Sequence, residues 1–171
     1  MAILSTDLVY RLSGGAGNTS PAAALGGAMS TVAGGIITSA ALNNLFDDVS
    51  GAESSAGDVE YRCFYVQNAH GSLTLQAALA WIDALTNSAQ TEFDLALADE
   101  AVGVAAETIA DESTPPSGPS FTRPTSKGAG LSIGNIPAGS YKAIWIRRTV
   151  TAGASAVSDS GSVRVEGDSA P

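Results

Sequence analysis

Histidine and cysteine are almost absent from this chain, with one of each, His70 and Cys63, and basic residues number only eight. A single cysteine rules out an intrachain disulfide and any CxxC redox or metal motif. One histidine and one cysteine are too few for a histidine-based zinc site. A Ser–His–Asp arrangement would depend on His70, which lies in NAHGS, a turn-like stretch where a solvated polar residue is the default. There is no G-x-S-x-G elbow. SGGAGNTS lacks the G-K-[ST] ending of a phosphate-binding loop, and SKGAG lacks the glycine that should precede its lysine. No apolar run approaches the ~18 residues that a membrane span needs. The N-terminus MAILSTDLVYR carries Asp7 and no basic start, so no signal peptide is expected.

The 171 residues suffice for one domain with a real core, or a small domain plus an arm. The apolar share is 44%, but much of it is alanine, so the core is smaller than that figure suggests. Met1–Thr122 holds 14 acidic residues against two basic ones, a net of −12, while Arg123–Pro171 holds six basic and three acidic, a net of +3. Together they give the chain's −9. An acidic body repels polyphosphate, which argues against nucleic acid as a partner. Opposite-sign ends can steer one copy against another or against a partner, and the plainer alternative is two solvated faces.

Residues 1–37 stand apart. After Ile3, Leu4, Leu8, Val9 and Tyr10 comes SGGAGNTSPAAALGGAMSTVAGG, and seven of the 19 glycines fall in this segment. Such a stretch is costly to order and offers few anchors. We expect an extended Gly/Ala-rich arm over 1–37, with Leu12, Leu25, Met29 and Val32 as isolated apolar pegs, ahead of a domain over 38–171. The alternative for 1–37 is an edge strand with loops packed on the same chain.

Leu42, Leu45, Phe46 and Val49 are at helical spacing, so a short helix is expected in 38–50, capped by Thr38 or Ser39, or else a first strand over 44–49. GAESSAGD (51–58) reads as a loop. From residue 59 the period becomes two. Strands are expected over 59–68, 72–83, 91–100, 130–136, 141–150 and 161–168. Turns follow at 68–72 and 86–90, and a loop with four prolines spans 113–124. In 72–83, Leu73, Leu75, Ala77, Leu79 and Trp81 should share one face. In 91–100, a half-buried strand should set Phe93, Leu95 and Leu97 against Glu92, Asp94 and Ala96. Ile144 and Ile146 should point to the core, with Ala143, Trp145 and Arg147 on the other face. Cys63, inside the apolar run YRCFYV, is expected to be a buried small hydrophobe. These strands, without long helical crossovers, predict an all-β, antiparallel β-sandwich, Ig-like or jelly-roll-like.

Carboxylates are plentiful. Asp47 with Asp48, Asp58 with Glu60, and the run Glu92, Asp94, Asp99, Glu100 could gather oxygens for Ca²⁺, but no EF-hand loop accompanies them. Trp81, Trp145, Tyr61, Tyr65 and Tyr141 could line a sugar-binding face, or fill a core as aromatics in sandwiches usually do. Arg147 and Arg148 could meet a partner's carboxylates, though adjacent strand residues point to opposite faces.

Three stretches together, LSGGAGNTSPAAALGGAMS, LFDDVSGAESSAGDVEYRCFYVQN and IPAGSYKAIWIRRTVTAGASA with a final VRVEGD, resemble small virion structural proteins of tailed bacteriophages. The resemblance spans most of the chain, and its motifs are stylistic rather than chemical. It implies a many-copy β-sandwich on the particle surface. The closest role is that of a capsid decoration (cement) protein, often a dimer or trimer, bound to the major capsid protein or other virion proteins. A minor neck or tail component is the alternative within that class. Outside it stands a surface recognition module for glycan or receptor. The expected location is the virion surface after synthesis in the host cytoplasm. No enzyme, cofactor, metal, nucleic-acid or membrane role is expected. Partner-binding residues are expected to be Leu8, Tyr10, Leu12, Leu25 and Met29 from the arm, with Arg147 and Arg148.

Overall fold

The computed structural model describes residues 2–85, 88–155 and 157–169. Within them run β1 (Leu8–Leu12), β2 (Gly26–Gly27), α1 (Gly51–Ala56), β3 (Asp58–Asn68), β4 (Leu75–Ala84), β5 (Thr91–Leu97), β6 (Ala106–Thr108), β7 (Leu131–Ile136), β8 (Tyr141–Val150) and β9 (Ser162–Ser169). Thr86 and Asn87 of the turn expected at 86–90, and Ala156, lie outside the described residues.

The strands form an antiparallel β-sandwich, as the alternating pattern predicts. One sheet has the order β1-β3-β8-β5 and the other β7-β4-β9; β2 and β6 make a separate two-stranded ribbon. The period of two builds the main core. Phe64 and Val66 of β3, Ile144 and Ile146 of β8 and Leu95 of β5 face Leu75, Ala80 and Ile82 of β4, Ile136 of β7 and Val165 of β9. The opposite face of the four-stranded sheet is covered as well. Cys63, Tyr65, Ala96, Ala143 and Trp145 pack beneath Met29, Ala106 and Ile109, with Leu25 and Phe121 at the edge. Cys63 is the buried small hydrophobe its setting implies. The strand expected as half-buried in 91–100 is therefore covered on both faces, Asp94 and Ala96 included.

β4 departs from simple alternation. Ala77 takes φ 48° and the register shifts between Leu75 and Ala78, which marks a β-bulge. Past the bulge the phase flips, so Ala78, Ala80 and Ile82 reach the core with Leu75, and Leu79 and Trp81 do not share its face. The expected single face through Leu73–Trp81 is thus corrected by one extra residue. Trp81 is still buried, and its indole N–H donates to Asp83.

The helix expected in 38–50 does not form, nor does a strand over 44–49. Ala40 and Asn43 have φ of 63° and 53°, which breaks both patterns. The helix lies instead in the stretch read as a loop, 51–58. Ser50 caps it, its hydroxyl accepting the Glu53 N–H while the Glu53 carboxylate accepts the Ser50 N–H, a reciprocal capping box.

Residues 1–37 are not an extended arm, and the alternative of an edge strand with packed loops is what the described residues form. β1 pairs with β3 from Leu8↔Asn68 to Leu12↔Phe64. Leu12, Ala24 and Met29 are buried. The glycines that made the segment look unanchored serve close turns instead. Gly26, at φ 91°, lies so near Glu107 O that a Cβ would collide with it. Backbone bonds do the anchoring: Cys63 N–H donates to Ala24 O (2.7 Å) and Ile109 N–H to Leu25 O (2.9 Å).

Candidate functional site

Ionisable side chains converge most densely at one end of the sandwich. Glu60 and Arg62 on β3 lie on the same face as Phe64 and Val66, and Arg148 on β8 lies on the face of Ile144 and Ile146. The β3–β8 register sets Glu60 opposite Arg148. All three are buried, Arg62 completely. The Arg148 guanidinium donates to the Glu60 carboxylate, and Arg62 pairs with Glu112. Asp47, at the mouth, stands 3.9 Å from Arg62 and 3.7 Å from Arg148.

A strap over the cluster closes it. Leu45 O accepts from Arg62 Nε (3.2 Å) and Asp47 O from Arg148 Nη1 (2.6 Å). The Phe46 ring lies 4.8 Å from the Arg148 guanidinium and 5.6 Å from that of Arg62, and stacks on Phe93 at 5.8 Å. Burial pushes the Glu60 carboxyl above the usual carboxylate range, against the pull of Arg148 and Arg62.

Carboxylate oxygens of Asp47, Glu60 and Glu112 come within 4.8 Å of one another. Three oxygens suit a hard cation in principle, but here two guanidiniums already pair with all three carboxylates. A further cation would sit against both, so the arrangement is an internal ion-pair network. Of the carboxylates weighed as calcium ligands, Glu92 and Asp94 bind Arg123, at 2.8 and 3.0 Å, and Asp94 also binds Arg147 at 2.7 Å.

The expected partner-binding residues are engaged within the chain. Leu8 is half-buried against the main core. The Tyr10 ring packs on Phe64, and its hydroxyl accepts the Val165 N–H at 3.0 Å. Leu25 is half-buried on the second core. Arg147 lies over the Phe121 ring (5.3 Å) and pairs with Asp94. Leu12, Met29 and Arg148 are buried, which corrects the expectation that they face a partner. The first two fill space beside β3, and Arg148 answers the charge of Glu60.

His70, Cys63 and Lys142 are also held within the fold. His70 Nδ1 accepts the N–H groups of Ser72 (3.1 Å) and Leu73 (2.9 Å), which shapes the β3–β4 turn. Burial pushes the Cys63 thiol strongly up. Lys142 donates to Ala98 O and Glu100 O, and burial lowers its pKa. Hollows of about 230 and 210 Å³ open on the surface, and neither His70 nor Cys63 lines them. No helix among the described residues is long and apolar enough to cross a membrane.

Sequence reasoning missed the charged cluster because it weighed Glu60 with Asp58 as a Ca²⁺ ligand and Arg148 as a contact for a partner's carboxylates. The signal was the shared phase of Glu60, Arg62, Phe64 and Val66, which puts both charges on the core side. Compared with known proteins, the chain matches no family model, no curated protein and no solved structure.

Proposed function

We propose that this chain is a structural, protein-binding β-sandwich of a tailed-bacteriophage particle, acting as a capsid decoration protein rather than as an enzyme. The observation that carries the non-catalytic part is the consumption of reactive groups by internal bonds. His70, Lys142, Arg62, Arg147 and Arg148 all serve backbone carbonyls, turn amides or carboxylates of the same chain. Catalysis needs such groups free to meet a substrate. The phage assignment rests on the resemblance in the stretches 12–30, 45–68 and 136–156, with 163–168. Acids outnumber bases 17 to eight, which suits a partner of complementary sign. Many copies on one lattice then turn weak single contacts into firm attachment.

A neck or tail position is the alternative within the same class. A glycan-binding module gains little support, because Trp81, Trp145, Tyr61 and Tyr65 are buried. The test is cosedimentation of the purified protein with heads of the phage that encodes it, followed by cryo-electron microscopy. Saturable binding at regular exterior positions is expected. A protein with affinity for neither the capsid nor itself would overturn the proposal.

A further inference from the structure

The N-terminal 36 or so residues behave as a self-bonded unit. Ile37 N–H donates to Tyr10 O (2.9 Å), Ser30 N–H to Leu12 O (2.8 Å), Gly15 N–H to Ala28 O (2.9 Å) and Thr31 N–H to Ala16 O (2.9 Å). Arg11 also reaches the carbonyls of Ser30 and Val32. This unit docks on the body through β1–β3 pairing, the Cys63–Ala24 and Ile109–Leu25 backbone bonds and the Tyr10–Val165 bond.

The chain between unit and body has a different character. Over 38–43, Leu42 is 90% exposed, and Ala40 and Asn43 hold left-handed backbone without being glycine. That conformation is strained for alanine and tolerated better by asparagine. The far end of this link is fixed, since Leu45, Phe46 and Asp47 are clasped by Arg62 and Arg148. Six residues reach about 20 Å when straightened. A strained, exposed link between a detachable unit and a fixed anchor is the arrangement that favours exchange of identical elements between copies.

We propose that residues 2–37 exchange between two copies of this chain, each copy's β1 pairing with the other's β3, with 38–43 as the hinge. Every docking bond is remade in the exchanged dimer, while the left-handed residues are released. The partner is therefore a second copy, and the surface is the β3 edge with the second core beneath it. None of this depends on the capsid assignment.

The experiment starts from full-length protein refolded at high concentration and separated by size. A V9C/Q67C variant places a cysteine pair at facing register positions of β1 and β3. Under oxidation the monomer closes the bridge within one chain, which serves as the control. The exchanged dimer should give a covalent dimer on a non-reducing gel. Deletion of residues 39–42 should convert most of the protein to dimer. A40G/N43G, which removes the strain, should cut the dimer fraction at least tenfold. Monomer alone from the wild type after concentrated refolding would overturn the proposal. So would a dimer whose bridge stays within each chain.

Discussion

Glu60 of β3 and Arg148 of β8 face each other at one register position, their carboxylate and guanidinium bonded inside the end of the sandwich. Breaking one half of a buried pair leaves the other charge uncompensated, at a cost of about 3–5 kcal/mol. Arg148→Met should therefore lower unfolding stability by about 3 kcal/mol in chemical denaturation. Changing both residues, as E60L/R148M, should recover most of that loss. A double variant as unstable as the single one would show that packing, not charge, sets the cost.

The same pair has a pH signature. Burial holds the folded Glu60 carboxyl above its ordinary value of 4.5, so the folded state binds this proton more tightly than the unfolded chain. Its contribution to stability is full below the ordinary value and is lost as pH rises through the folded one. Removing Arg148 takes away the main force opposing that rise. The deficit of R148M against wild type should accordingly shrink as pH is lowered from 8 to 5, measured by urea midpoints at each pH.

Tyr65 of β3 ties the β2–β6 ribbon to the four-stranded sheet. Its hydroxyl donates to Gly27 O of β2 and accepts the Ala106 N–H of β6 at 2.8 Å. Tyr65→Phe keeps the ring and leaves both backbone groups short of a partner. A loss of about 2 kcal/mol is expected, with hydrogen exchange fastest at Ala106 and its neighbours.

Ala77 supplies the bulge of β4 with a left-handed backbone that glycine adopts freely. Ala77→Gly should raise stability by about 0.5 kcal/mol, relief of strain exceeding the entropy cost of glycine. A β-branched residue there, as in Ala77→Val, should destabilise. Thermal midpoints of the three proteins decide it.

Deleting residues 2–30 should destabilise the domain rather than trim it. The deletion removes β1 and uncovers Cys63 and Tyr65, both fully buried in the intact chain. Quenching of tryptophan emission should rise, since Trp145 sits in the same second core. A truncated protein with unchanged denaturation midpoint would show the segment to be an independent arm after all.

Much of this architecture is legible along the chain. Period-two runs place β3, β5, β7, β8 and β9 close to their observed bounds, because successive residues of a strand point to opposite faces, which in β3, β5 and β8 meet two different cores. Turn residues separate them for equally local reasons. β6, only three residues long, carries no such pattern and escapes notice. The capping box at Ser50 and Glu53 was a readable signal within an apparent loop. The bulge at Ala77 left no mark, since alanine belongs to either face and the extra residue shows only in the pairing with β7 and β9.

What the sequence by itself determined is the fold class, the burial of Cys63 and the poverty of reactive groups, all of which follow from composition and local periodicity. The tertiary structure alone decided the fate of residues 1–37 and of the charges. Glycine and alanine say little about where a segment docks; β1 joins the sheet because the β3 edge offers unpaired backbone groups and a hydrophobic face to cover. Likewise Arg148 lies inside because Glu60, 88 residues earlier in the chain, meets it across a strand pair. Partners so distant in sequence are brought together only by folding.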